Sequence, residues 1–318
     1  MIFPIAGLTP EYVIVDEAVI MTKESVVSTG HEEATPRINE MHRFAVVFFR
    51  RKLVIAGLVI ISILVITAIF APLLAPYDPY KQDISQALQQ PGEAHLLGTD
   101  VVGRDTLSRV IYGSRTSLII GIIAITIAAS VGMAMGLMAA YFGGITNALI
   151  MRFIDALMSF PMLIFALVLA SMLGSGLKNV ILALGVGMVS GYARLMCGQA
   201  LSVKQNEYIT AARSMGASNL RIMLVHILTN CFPPLIVLIT MMMGTCILAE
   251  AGLSFLGLGI TPPGAAWGAM VNEGYKYLLT NPVLSFAPGV AIMLTVFAFN
   301  MVGDGLRDAL DPRLRGSI

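Results

Sequence analysis

An all-α protein that crosses a membrane about six times is what this sequence predicts. Three observations point there. Apolar residues make up 57% of the chain and charged residues only 12%, whereas a soluble domain carries roughly 25% charged residues. Runs at about 53–75, 117–140, 146–172, 177–196, 233–252 and 284–303 are each near the roughly 20 residues that a helix needs to cross the hydrocarbon. Lys and Arg gather beside one set of their ends, as cytoplasmic flanks do. The net charge of +1 leaves no basic footprint for nucleic acid. Cys197, Cys231 and Cys246 lack pairing or ligand spacing and read as small apolar filler. With four histidines scattered singly, no metal site is expected.

Taken in order, residues 1–42 read as a cytoplasmic tail. The first 40 carry seven acidic residues against Lys23 and Arg37, with no long apolar run. "MTKES" at Met21 is an alternative start. "RFAVVFFRRK" then supplies Arg43, Arg50, Arg51 and Lys52, which places the N-terminus inside. The first run, "LVIAGLVIISILVITAIFAPLLA", is too long and too far along the chain for a signal peptide. Residues 76–116 form a long outer segment whose Gly-Thr-Asp and Gly-Arg-Asp steps are turn and cap chemistry. The third run contains Pro161 and the fifth begins at Pro233-Pro234, residues that kink or start helices. Residues 253–283, dense in Gly and Pro, form a second outer segment. Six spans return the C-terminus to the inside, where Arg307, Arg313 and Arg315 lie.

The inner loop at about 197–232 contains the polar stretch "EYITAARSMGASNLRI". Asn206 is a good N-cap, and Glu207 falls at the positive end of a short helix. Gly216 is placed to end that helix in the left-handed conformation, and Ser218 or Asn219 can cap a second one. Ala211 and Ala212 leave one face nearly bare, which suits a helix laid in another protein's groove. A lipid-resting interfacial helix would need more apolar bulk.

At these residues the chain resembles the permeases of ATP-binding-cassette importers, of the peptide and nickel class, and within it the C-type partner of a two-permease heterodimer. The stretches "LLGTDVVGRDTLSRVIYGSRTSL", "EAGLSFLGLG", "PPGAAWGAM" and "GDGLRDALDPR" carry the same likeness, which runs from about Arg43 to the end. The pattern departs at Thr210, where the general motif has its glutamate, and at Leu228-Thr229, where it has Leu-Pro. The resemblance implies a type I importer fold for 43–318 and a coupling helix in the inner loop. Glu207, Tyr208, Ala211, Ala212, Arg213 and Gly216 would then form the ATPase-coupling site. The implied partners are a homologous permease, two ATPase subunits holding ATP and Mg, and an extracytoplasmic solute-binding protein, all at a bacterial inner membrane. The implied cargo is di- or oligopeptide, with nickel chelates or another small solute as the alternative.

This chain has no G-x-x-x-x-G-K-[ST] phosphate loop, so it is not expected to be the enzyme of such a system or to hold a cofactor. Charges within spans are functional candidates by default. Glu250 either lines the translocation path or hydrogen-bonds a neighbouring loop. Arg152 and Asp155, three apart, are expected to pair; Arg194 can snorkel; Asp304 and Asp308 should cap or pair locally. The methionines read as flexible packing. An ion-coupled transporter would show paired broken helices in corresponding halves, and an intramembrane enzyme would show G-x-S-x-G or H-E-x-x-H. Neither pattern is evident. A scaffold without transport is the remaining rival, separated by whether ATPases co-purify.

Overall fold

The computed structural model describes residues 40–310. The tail expected over 1–42 lies outside the described residues as far as 39, with Met21, and so do Arg313 and Arg315. Contacts divide the chain after Glu40, and the helical fold belongs to the unit from Met41 onward. Helix α1 (Glu40–Arg50) leads to the first span α2 (Lys52–Ile69) and the short α3 (Ala71–Leu74). Then come α4 (Thr106–Phe142), α5 (Gly144–Met158), α6 (Met162–Leu173) and α7 (Leu177–Lys204). The inner loop holds α8 (Glu207–Ser214) and α9 (Asn219–Arg221), which continues through a π-helical stretch Ile222–Leu228 into α10 (Thr229–Phe255). Helices α11 (Trp267–Tyr275) and α12 (Val283–Leu310) complete the order.

Glycines decide how these helices meet. A Cβ added at Gly132 would stand 2.6 Å from the Val189 carbonyl oxygen and 2.7 Å from Tyr192 Cβ. One added at Gly136 would strike the Ala193 carbonyl and come within 2.9 Å of Cys197 N. Four apart, the two glycines share one face of α4 and let its backbone touch that of α7, the small-residue packing used where water supplies no drive between helices. The central place of α7 follows, with 61% of its most apolar window buried against 22% for α2.

The contacts also fix directions. Along α4, Gly132 meets Val189 and Gly136 meets Ala193, so α4 and α7 run parallel. On α10 and α12 the order reverses, with Gly244 against Val296 and Met241 against Gly303. Two parallel spans require the chain between them to recross the membrane. Helices α5 and α6 do this as one broken span bent by 88° at Pro161, where proline offers no donor to the carbonyls of the preceding turn. The five helices long and apolar enough to cross, with this bent pair, make the expected six crossings.

Boundaries moved where polar residues continue a helix. The second span begins at Thr106, not 117, because Asp105 caps it: its Oδ2 accepts from the Ser108 amide and hydroxyl, both at 2.7 Å. At 37 residues the helix is about 55 Å long and stands well beyond a hydrocarbon core of about 30 Å. Pro233 and Pro234 do not start the fifth span; they lie inside α10. Thr229 Oγ1 donates to the Leu224 carbonyl at 3.4 Å and Asn230 Nδ2 to the His226 carbonyl at 2.7 Å, which satisfies acceptors of the widened turns.

The outer segment is pinned by polar contacts. Asp83 caps a 3-10 turn, and the Ser85 hydroxyl it accepts from holds its carboxyl below the usual range. Arg104 Nε donates to Asp100 Oδ2 at 2.5 Å and its Nη2 to Glu273 Oε2 of α11 at 3.1 Å, while Arg109 Nε lies 3.5 Å from the same Asp100 oxygen. At the opposite side Asp308 does not pair locally: its carboxylate meets Arg51 at 2.6 Å. The break between α1 and α2 is thereby tied to the last turn of α12.

The glycine contact predicts that Gly136→Leu lowers the melting temperature of the detergent-solubilised chain, since overpacking costs about 1–3 kcal/mol or more. Gly198→Leu on α7, where nothing lies within 4 Å of an added Cβ, should melt as the unsubstituted chain does. Equal melting of both variants would refute the close contact.

Candidate functional site

Helix α8 is the inner loop's centre. Asn206 enters it with extended backbone (φ −70°, ψ 142°) and its carbonyl accepts from the Ile209 amide at 3.1 Å. The Asn206 side chain makes no cap bond, so the expected side-chain cap is absent and the acidic Glu207 in the first turn faces the helix dipole alone. The end is tightly specified. Gly216 adopts φ +81°; its amide donates to the Arg213 carbonyl at 3.0 Å, and the Ala217 amide donates to Ala212 at 3.1 Å. These two bonds make a Schellman motif. Ser218 Oγ then caps α9 by accepting from the Arg221 amide at 3.4 Å.

The two alanines face opposite ways. Ile209 and Ala212, three apart, are both buried, and Ile209 joins the apolar cluster that holds Leu137, Met196, Ala200 and Ile222. Ala212 is only 6% exposed. It is a footing of α8 on the membrane domain, which corrects its expected place on the bare face. The open face instead presents Glu207, Tyr208 and Ala211, with Met215 82% exposed just beyond, while Arg213, also exposed, leans over Tyr141. The physical reason is the 100° step of a helix: adjacent residues cannot share one narrow stripe.

Residues that sequence reasoning missed stand beneath. Lys204, the last residue of α7, donates from Nζ to the carbonyls of Ala140 (3.1 Å) and Tyr141 (2.7 Å) at the end of α4. The Tyr141 hydroxyl donates to Asn219 Oδ1 at 2.6 Å, and Lys204 and Arg213 lie 5.7 and 5.9 Å from its ring centre. A tyrosine closing an apolar run is a visible interfacial signal, but nothing in the sequence pairs it with residue 219.

The other candidates are elsewhere. Glu250 is fully buried; it accepts from Ser254 Oγ at 2.7 Å and from Ser117 Oγ of α4 at 3.3 Å. Within this chain it joins α10 to α4, as a carboxyl in a span must be hydrogen-bonded wherever it lies. Asp155 pairs with Arg194 of α7 and not with Arg152. Helical side chains lean toward the N-terminus, so Arg152 leans away from a carboxylate one turn ahead. The three cysteines are buried and free. A cavity of about 740 Å³ opens between the inner parts of α7, α10 and α12, lined among others by Gln199, Asn230, Pro233, Val237 and Arg307.

Comparison with known proteins gives a consistent likeness. Residues 132–316 match the model of "Binding-protein-dependent transport system inner membrane component", and residues 41–91 that of "N-terminal TM domain of oligopeptide transport permease C". The chain is 42% identical over 264 residues to the probable D,D-dipeptide transport system permease protein DdpC of Escherichia coli (strain K12), covering 83% of this chain and 89% of that protein. It is 42% identical over 276 residues to the glutathione transport system permease protein GsiD of Escherichia coli O157:H7, covering 86% and 91%. Among solved structures, an inward-facing conformation of the MetNI methionine ABC transporter matches with TM-score 0.53 at 21% identity, covering 64% of this chain and 97% of that one. That last likeness is one of fold.

The footing of α8 separates three substitutions. Ala212→Glu puts a carboxylate into a packed apolar site, and Gly216→Val forces a β-branched residue to positive φ at about 1–3 kcal/mol. Both should lower the melting temperature of the isolated chain, whereas Ala211→Glu on the open face should leave it unchanged. If Ala212→Glu melts like Ala211→Glu, the assignment of the two faces is wrong.

Proposed function

We propose, from the premise that the chain belongs to the family of binding-protein-dependent transport system inner membrane components, that it forms a translocation path together with a homologous permease and that α8 is the helix on which a partner ATPase acts. The observation that carries this reading is a short helix, stopped by a Schellman motif, standing outside the spans with one face footed on the core and the other open. Such a helix transmits a push only if it is rigid and anchored, and α8 is both.

The energy enters through other chains. ATP and Mg bind on two ATPase subunits, whose closure draws the coupling helices together and opens the path outward beneath a docked binding protein. ATP shifts the balance of inward and outward states because it binds them unequally. In this chain the cavity between α7, α10 and α12 forms the inner mouth, and the widened, proline-containing turns of α10 border it. The cargo is a di- or oligopeptide; relatives named for D,D-dipeptide and for glutathione support a short peptide. The binding protein, which meets the peptide first, sets the choice of cargo.

The inner side is that of α8, where Lys204, Arg213 and Arg221 accompany Arg50, Arg51 and Lys52. The Arg51–Asp308 pair brings the start of the first span and the end of the last to one side, which supports both termini in the cytoplasm. Gln89→Cys, on the outer segment and in a background without other cysteines, should react with an impermeant thiol reagent added to intact spheroplasts. Labelling only after lysis would reverse the orientation and remove α8 from the ATPases.

Purified alone, the chain should hydrolyse no ATP. Co-expressed with its ATPases it should co-purify with them, and Ala211→Glu should reduce that association at least tenfold while membrane levels stay normal. Full ATPase binding by Ala211→Glu would make α8 a mere connector and sink the proposal.

A further inference from the structure

We infer that Tyr141 is a positioning residue, the point at which displacement of α8 and α9 is handed to the paired helices α4 and α7. The inference rests on the reading of α8 as the coupling helix and extends it to a residue some 66 positions earlier in the chain. Four chain segments converge on this side chain. It lies in the last turn of α4; Lys204 closes α7 and lies over its ring at 5.7 Å; Arg213 of α8 lies over the ring at 5.9 Å; and its hydroxyl donates to Asn219 of α9 at 2.6 Å. The ring is only 6% exposed. The lysine is also committed, since its ammonium donates to the free carbonyls of Ala140 and Tyr141 at the end of α4.

The chemistry of the two kinds of attachment differs. Beneath α8, Ile209 is buried in one apolar cluster with Leu137 of α4, Met196 of α7 and Ile222 of the π-helical stretch. Apolar contact is non-directional and lets one surface slide over another. The Tyr141–Asn219 bond is directional and weakens steeply off its axis. It therefore fixes where α8 and α9 stand along the end of α4. Because α4 and α7 touch backbone to backbone at Gly132 and Gly136, a displacement applied at Tyr141 moves both helices together. Removing the hydroxyl alone should leave the fold and the outer face of α8 intact while the loop slips against α4.

The test uses the complete transporter in proteoliposomes, with the binding protein equilibrated with glutathione and, separately, with a dipeptide mixture. Tyr141→Phe and Asn219→Ala should each lower the ratio of stimulated to unstimulated ATP hydrolysis about fivefold, at the lower end of typical coupling energies. Co-purification of the ATPases and the melting temperature should not change. The double variant should be no worse than either single one, since both lose the same bond. Asn219→Asp, which keeps an acceptor, should restore the ratio. A wild-type ratio in Tyr141→Phe overturns the inference. So does a loss that tracks a fall in melting temperature or ATPase binding, which is what a structural role gives. If Ala211→Glu retains ATPase binding, the coupling reading fails and this inference fails with it. If Ala211→Glu releases the ATPases while Tyr141→Phe stimulates normally, only the role of Tyr141 is lost.

Discussion

Backbone contact between α4 and α7 across Gly132 and Gly136 leaves no room for even one methyl group, and most of the architecture follows from it. Lipid gives helices no hydrophobic reason to associate, so close approach of backbones takes over that work. Because the contact is parallel, the intervening chain must return across the membrane. The broken pair α5 and α6 supplies that crossing within 30 residues, from Gly144 to Leu173. Because the two long helices end at the same surface, Tyr141 and Lys204 in their last turns can be joined there. The inner loop leaves from this shared platform.

Several buried polar groups of this chain hold segments together through their partners. Glu250 holds two serine hydroxyls, one on α4 and one a turn ahead on its own helix. Asp100 and Glu273 surround Arg104, and through it the segment before α4 is fastened to α11. Buried charges arranged this way cost heavily if one partner is lost. They act here as fasteners between segments far apart in sequence, and none of them reaches the 740 Å³ cavity at the inner side.

The inner loop combines a stiff element with a firm mount. The Schellman motif at Gly216 stops α8 at a fixed residue, and the Ser218 cap starts α9 two residues later. From α9 the chain passes without interruption through widened turns into α10. A load on the outer face of α8 therefore has two routes into the membrane domain: through the Tyr141 contacts to α4 and α7, and along the backbone to α10.

Local chemistry was legible in the sequence. Apolar runs gave the spans, Pro161 the bend, Asp105 and Ser218 their caps, and Gly216 the left-handed residue, because each depends on neighbours within a turn or two. The order of motifs gave the family for the same reason: short patterns survive without knowledge of the fold. Boundaries such as Thr106 were missed where a polar helix continues past the membrane and hydropathy falls silent. Partners across the chain needed the tertiary structure. Asp155 chose Arg194 over Arg152, Asp308 chose Arg51, and Ala212 turned inward while Ala211 turned out. Side-chain direction and helix packing decide such choices, and neither is encoded in sequence distance. Tyr141 shows the limit most clearly, since its meaning lies in Lys204, Arg213 and Asn219, which only folding brings to it.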